Sequence, residues 1–259
     1  MHNLWYGFFY LCRDDGNRKF LVYLLTNIIL NTHYVLKTTA EVPEMNMLKS
    51  HIASFDVDAQ CGFTPLCPDE LPVPGGDEIV PALNFMASFA GFRVGSKDAH
   101  SPNAKWVVGS HAEMGIPTGL AHADLTWVSH CVVGTQGFEL LPGLPKVSEY
   151  GYMVYKGLEV DLHPYGALFH DDVLSTGVIE VLRARGISTV LVGGLALDYC
   201  VKSTVLQLLA AGFEAAVYLP ACRAISQDTA DQALQEMKSA GAVLANNSDE
   251  LTRFVCEGK

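Results

Sequence analysis

From Met47 onward, short apolar runs alternate with stretches whose apolar positions recur every three or four residues, and the changeovers fall on Gly, Pro and Asp. That alternation is the pattern of a parallel sheet, buried on both faces, connected by crossover helices. It predicts strands at Ile52 to Asp58, Phe92 to Lys97, Tyr152 to Lys156, Thr189 to Gly194, Ala215 to Leu219 and Ala242 to Ala245. Helices are expected over Glu78 to Ala90, Asp171 to Arg185, Asp198 to Ala211 and Asp228 to Ala240, with Asp77 capping the first and Gly212 and Gly241 ending the last two. Six strands in this order make one doubly wound α/β domain, whose ligand sits at the carboxyl ends of the strands. Asp98 to Pro145 is rich in Gly, Pro, His and Ser without sustained periodicity. A loop of that length in a compact domain is usually functional.

Residues 1–46 stand apart. They carry Arg13, Arg18, Lys19 and Lys37 against Asp14, Asp15, Glu41 and Glu44, so the whole net charge of -11 lies beyond them. Their one strongly apolar span, Phe20 to Leu36, is broken by Thr26, Asn27, Asn31, Thr32 and His33. Its uninterrupted run falls short of the roughly 20 residues a spanning helix needs, and no clean cleavage site follows. The expected organisation is therefore an N-terminal extension, 1–46, before one α/β domain at 47–259, with Met45 or Met47 as the expected native start.

Composition narrows the functional classes. The chain has 259 residues, 49% of them hydrophobic, and a mean hydropathy of +0.21, which is enough for one large core. Seventeen Lys and Arg against 28 Asp and Glu, scattered rather than clustered, disfavour a nucleic-acid partner. Seven cysteines without a CxxC pair fit neither a disulfide framework nor a cysteine-rich zinc site, and point to a reducing, cytoplasmic compartment.

The predicted strand ends carry the chemistry. Asp58 closes the first strand, Asp98 follows the second, Lys156 ends the third, and Cys200 follows the fourth at a helix start. A cysteine there, with a lysine nearby, is expected to have a thiol pKa below the roughly 8.5 of free cysteine. Asp58 could take its proton and later return it to a leaving amine. In the long loop, Asp98, His100 and His130 offer a carboxylate and two imidazoles, a donor set suited to zinc, manganese or ferrous iron. His51, His122, His163 and His170 read as solvent-facing loop histidines without a role.

These residues stand within a series of ordered blocks: Val57-Asp58-Ala59-Gln60 with Phe63, LPVPGGDEIVPALN (71–84), Lys97-Asp98-Ala99-His100, Trp127 with His130-Cys131-Val132-Val133-Gly134-Thr135, Tyr155-Lys156-Gly157, and GGLALDYCVKST (193–204). Together they resemble the nicotinamidases of the isochorismatase-like cysteine hydrolase superfamily over about residues 50 to 245. The resemblance implies a three-layer α/β/α sandwich with a six-stranded, mostly parallel sheet. It implies Asp58, Lys156 and Cys200 as catalytic triad, and Asp98, His100 and His130 as ligands of one divalent metal ion, zinc first among the candidates. It further implies backbone amides of Ala196 and Cys200 as the oxyanion hole beside a cis Leu195–Ala196 peptide, and Phe63, Trp127, Tyr165 and Tyr199 around a pyridine ring.

The implied activity is hydrolysis of nicotinamide, a small-molecule partner, to nicotinate and ammonia through a Cys200 thioester. The chain departs from the family pattern at Cys61-Gly62, where Asn-Asp is frequent, and at His163-Pro164, where Ser or Asp is more usual before Tyr165. Eleven residues after His100, His111 has an open role. The alternatives are an isochorismatase-like hydrolase of another small amide, carbamoyl or ureido in type, and a non-catalytic metal-binding module. No membrane partner is expected, and homo-oligomerisation is left open.

Overall fold

The computed structural model describes residues 49–171 and 173–257, so the expected extension 1–46 lies outside the described residues. Six parallel strands form the main sheet: β1 (Ile52–Val57), β2 (Phe92–Asp98), β7 (Tyr152–Lys156), β8 (Thr189–Gly194), β9 (Glu214–Cys222) and β10 (Val243–Ala245), in the order β10-β9-β8-β1-β2-β7. The sheet is wholly parallel, and every residue of β1 and β8 is buried, as the apolar runs require. The strand order reverses between β1 and β2 on one side and β8 on the other, which is the switch point of a doubly wound sheet.

Helices cover both faces. On one, α2 (Val178–Ala184), α3 (Lys202–Ala210) and α4 (Gln227–Ser239) bury Leu182, Val205, Leu208 and Ala233 against Phe55, Val57, Val190 and Val192. On the other, α1 (Val80–Ala87) and α5 (Ser248–Glu257) bury Leu83, Met86, Leu251 and Phe254 against Ile52, Leu191 and Ala216. The long segment after β2 joins this second layer through Trp106, Ala123 and Trp127. It is not structureless: β3 (Val107–Val108) pairs with β6 (Trp127–Val128), and β4 (Pro117–Leu120) with β5 (Ala123–Leu125).

The differences from expectation are local. Asp77 caps nothing: it lies in a 3₁₀ turn, Gly76–Glu78, and α1 begins only at Val80, with proline in its first turn. The helix expected from Asp171 starts at Val178, because Asp171 Oδ1 instead accepts from the amides of Val173 and Leu174 and holds a turn. An unforeseen helix, α5, closes the chain behind Asn247, whose Oδ1 accepts from Glu250 N while Glu250 Oε2 accepts from Asn246 N.

Gly194 ends β8 against β1 with φ of 139°, and a Cβ placed there would lie 1.9 Å from the carbonyl oxygen of Val57. Gly194→Ala is therefore expected to cost on the order of 3 kcal/mol, read as a lower urea midpoint with an unchanged slope.

Candidate active site

Parallel register brings the candidate groups to one rim. Asp98 and Lys156 are direct neighbours across β2 and β7, and Val57 and Gly194 across β1 and β8. Asp58, one residue past β1, takes φ of 44°, a left-handed conformation that costs an ordinary residue energy and marks a site held by its surroundings. Its amide donates to the Ser96 carbonyl at 3.2 Å, and Ser96 Oγ donates to Asp58 Oδ1 at 2.7 Å. Gln60 clamps the next strand end: Asp98 N donates to Gln60 Oε1 at 2.7 Å, and Gln60 Nε2 donates to Asp98 O at 2.9 Å.

Lys156, fully buried, reaches across this rim. Its Nζ lies 2.9 Å from Asp58 Oδ2, donates to Asp98 Oδ1 and to Pro164 O at 3.1 Å, and stands 3.6 Å from Cys200 Sγ. Asp58, Asp98 and Cys200 each place one polar atom within 4.8 Å of the others. Cys200 stands in a single π turn, Leu197–Val201, that runs into α3. The turn begins at a cis peptide between Leu195 and Ala196, as the resemblance implies, and the Ala196 carbonyl accepts from the amides of Tyr199 and Val201. Asp198 fixes the turn from behind, accepting from Ile225 N, Ser226 N and the Thr229 hydroxyl.

Burial sets the charge states. It would disfavour the Lys156 ammonium, but the carboxylates of Asp58 and Asp98 outweigh it and hold the pKa well above the usual lysine value. Burial raises the Asp58 carboxyl to about 6 against the pull of Lys156. Asp98 goes the other way, because Lys156 and His100 overcome burial and keep it far below the usual carboxylate range. The thiol expectation is corrected: burial, with Asp58 and Asp98 beside it, raises Cys200 well above the ordinary cysteine value despite Lys156. The helix start cannot offset complete desolvation next to two carboxylates, so the resting group is a thiol.

Beside Asp58, Lys156 and Cys200 lies a histidine cluster. Ring nitrogens of His100, His130 and His163 lie within 4.8 Å of one another, all three side chains buried. His100 Nδ1 is 3.2 Å from Gly157 O and His130 Nδ1 is 2.7 Å from Val128 O. A carbonyl only accepts, so each ring carries a proton on Nδ1, which leaves Nε2 as the nitrogen free to ligate. Burial and the neighbouring His100 lower His130 to about 3, keeping it neutral. His100 Nε2 and both nitrogens of His163 are buried without a hydrogen-bond partner. Buried imidazoles, two of them with Nδ1 committed to a backbone carbonyl, and Asp98 Oδ2 at 3.4 Å from His100 Nε2, suit a divalent ion such as zinc.

The backbone holds the cluster as an extension of the sheet. Ala99 N donates to Lys156 O, His100 N to Cys131 O, and Val133 N to His100 O. His130 is thus drawn alongside His100, with Cys131 at φ of 49° beside it.

Aromatic rings enclose the remaining space. Phe63 packs on His130 with centroids 5.3 Å apart, Trp127 meets Tyr199 edge-on at 5.0 Å, and Trp127 Nε1 donates to Tyr165 Oη at 3.0 Å. Tyr165 donates in turn to Asp124 at 2.8 Å. Phe63, Trp127, Tyr165, Tyr199, Ala196 and Cys200 share one cavity with Asp98, His130 and His163, and its free space of about 10 Å³ is room for a single water. An open groove of about 230 Å³ abuts it, lined by His122, Asp124, His170 and Gln207, and shares His163 and Tyr165 with the cavity.

The sequence misses part of this. His163, read as a solvent-facing loop histidine, is 6% exposed and stacks on His100 at 5.0 Å, a correction that follows from the loop folding over it. His51 and His122 are exposed, as expected of loop histidines. His111 is exposed and hydrogen-bonds through Nε2 to Glu70 O at 2.7 Å, away from the cluster. Trp106, buried against His100, His130 and His163, was not foreseen, nor was Asp124. Gly62 has a packing reason: a Cβ there would lie 2.3 Å from the Glu70 carboxylate that accepts from Cys131 N. Cys61 and Cys131 are buried, with thiol pKa values raised by burial, as inert thiols should be.

Known proteins place this geometry in context. The profile of the family described as Isochorismatase domain matches residues 118–249. A nicotinamidase of Acinetobacter baylyi is 34% identical over 193 residues, 71% of this chain and 87% of that protein. Among solved structures, a nicotinamidase/pyrazinamidase of Acinetobacter baumanii superposes with a TM-score of 0.68 at 30% identity, over 77% of this chain and 98% of that one. A pyrazinamidase of Pyrococcus horikoshii in complex with zinc does so with a TM-score of 0.60 at 31% identity, over 76% and 99%.

Gly157, at φ of 74°, leaves space for the His100 ring, since a Cβ there would lie 2.7 Å from it. Gly157→Ala is expected to displace that ring and weaken zinc affinity by about tenfold to a hundredfold, measured by chelator competition.

Proposed function

The chain belongs to the isochorismatase family and is an amidohydrolase related to the nicotinamidases, and from that premise we propose that it hydrolyses nicotinamide to nicotinate and ammonia through a Cys200 thioester. One observation carries the mechanism: the Lys156 ammonium contacts Asp58 Oδ2 at 2.9 Å and Cys200 Sγ at 3.6 Å inside a buried site.

Asp58 accepts the Cys200 proton, and Sγ attacks the carboxamide carbon while Lys156 stabilises the thiolate as it forms. The amides of Ala196 and Cys200 are assigned to the oxyanion, where loss of one donor typically costs about 2.7 to 4 kcal/mol. Asp58, now protonated, gives its proton to the departing amine and then, as a carboxylate again, takes one from the water that opens the thioester. A carboxyl near 6 suits both duties. Phe63, Trp127, Tyr165 and Tyr199 form the walls proposed for the pyridine ring. Asp98, His100 and His130 are proposed to hold one divalent ion, zinc by preference, which when bound supplies a Lewis-acid anchor for the ring nitrogen. Admission of a ring to so small a space requires the aromatic walls to move.

The reading includes a cytoplasmic location, since the nucleophile must stay a thiol. Cys61, Cys67, Cys131, Cys200 and Cys222 are free, whereas Cys256 is disulfide-bonded, which corrects the expectation of a set of cysteines without a disulfide. No helix among the described residues is long and apolar enough to cross a membrane. It includes residues 47–259 as the hydrolase domain.

The test is ammonia release from nicotinamide by purified protein. Cys200→Ala is expected to lower kcat by at least about a thousandfold while nicotinamide still binds in calorimetry, and substantial residual turnover would refute the nucleophile. A second expectation concerns pH. Asp58 must be ionised to take the thiol proton, so kcat/KM should fall on the acid side with an apparent pKa near 6, and a profile flat down to pH 5 would remove Asp58 as base.

A further inference from the structure

His163 does no work in the mechanism above, and its surroundings give it none as a structural residue. It is 6% exposed, and neither ring nitrogen has a hydrogen-bond partner. Burying an imidazole with both polar atoms unpaired is unfavourable unless something pairs them. His100 and His130 show the contrast: each spends Nδ1 on a backbone carbonyl and aims Nε2 into the cluster. The His163 ring is firmly placed, because its amide donates to His122 O at 2.7 Å and the next carbonyl, Pro164 O, accepts from Lys156. The ring stacks on His100 at 5.0 Å and packs against Trp106 at 4.3 Å and Tyr165 at 5.0 Å.

We propose that His163 is a third imidazole ligand of the divalent ion held by His100 and His130. This rests on the metal site proposed above and adds to it a donor from the segment after β7. One nitrogen from each of the three rings lies within 4.8 Å of the others. Ligands about 2.05 Å from a tetrahedral zinc are about 3.4 Å apart, so sub-ångström shifts of each ring close the set. Asp98 has its Oδ1 engaged by Lys156, which leaves only Oδ2 facing the cluster. A third imidazole supplies the donor that a half-committed carboxylate gives incompletely. It also ties the ion to the segment that carries Pro164 and Tyr165, so metal loading should order that wall of the cavity.

The experiment uses the full chain loaded with zinc or with cobalt(II). X-ray absorption at the zinc edge of the unsubstituted protein should count three imidazoles rather than two. His163→Ala should weaken zinc binding at least tenfold in chelator competition and change the visible cobalt spectrum, with His163→Gln as a second variant that fills the same space. Two imidazoles by absorption, with zinc affinity and cobalt spectrum unchanged in both variants, overturn the inference. His130→Ala separates the two readings: its loss of zinc alongside indifferent His163 variants leaves the metal site standing without His163. Unchanged zinc binding in His130→Ala and His163→Ala alike overturns the site itself.

Discussion

A lysine ammonium with no solvent exposure lies between two carboxylates at the carboxyl edge of the sheet. A buried charge persists only where it is paired and hydrogen-bonded, and Lys156 takes Asp58, Asp98 and the Pro164 carbonyl to meet that condition. The three side chains come from the ends of three different strand segments, so the condition constrains the whole sheet. A slip of one residue between β2 and β7 would turn Lys156 to the opposite face and leave two buried carboxylates facing each other. Burial of apolar residues makes the sheet stable; this ion triad fixes where its strands stop.

The same ammonium divides the work of the two carboxylates. Asp98 is anchored on one oxygen by Lys156 and faces His100 with the other, and these neighbours keep it ionised. Asp58, with one oxygen on Ser96, is left near 6. Two carboxyl groups a few ångströms apart thus have separated affinities for a proton, which lets one titrate while the other stays a fixed charge. The half of the site that holds Cys200 and the histidine half are joined through that shared cation.

How much of this the sequence shows depends on the range of each interaction. The six strands were legible because a parallel strand buried on both faces is an apolar run bounded by turn residues, and the strand ends put Asp58, Asp98, Lys156 and Cys200 on one rim. Helix starts were less legible where an Asp has two local uses: Asp171 holds a turn instead of entering a helix, and Asp77 sits inside a 3₁₀ turn without capping. His163 was misread because its burial is decided by Trp106, more than fifty residues earlier, whose Nε1 donates to Leu162 O. The thiol pKa of Cys200 was misjudged for a related reason. A helix start is a local signal, whereas desolvation and the two flanking carboxylates belong to the tertiary fold.

A resting thiol is no obstacle to the chemistry proposed, and the charges explain why. Moving the proton from Cys200 to Asp58 leaves the number of buried charges unchanged: a lysine–carboxylate pair becomes a lysine–thiolate pair. Lys156 Nζ is already 2.9 Å from one oxygen and 3.6 Å from the sulfur, so the cation need barely move. Burial raises the thiol and the Asp58 carboxyl together, and it is their difference, not either value alone, that sets the cost of the transfer. A free thiolate in the same cavity would have to be desolvated outright. The proposed mechanism avoids that, because one cation stays in place while the negative charge passes from oxygen to sulfur as the carbon–sulfur bond forms.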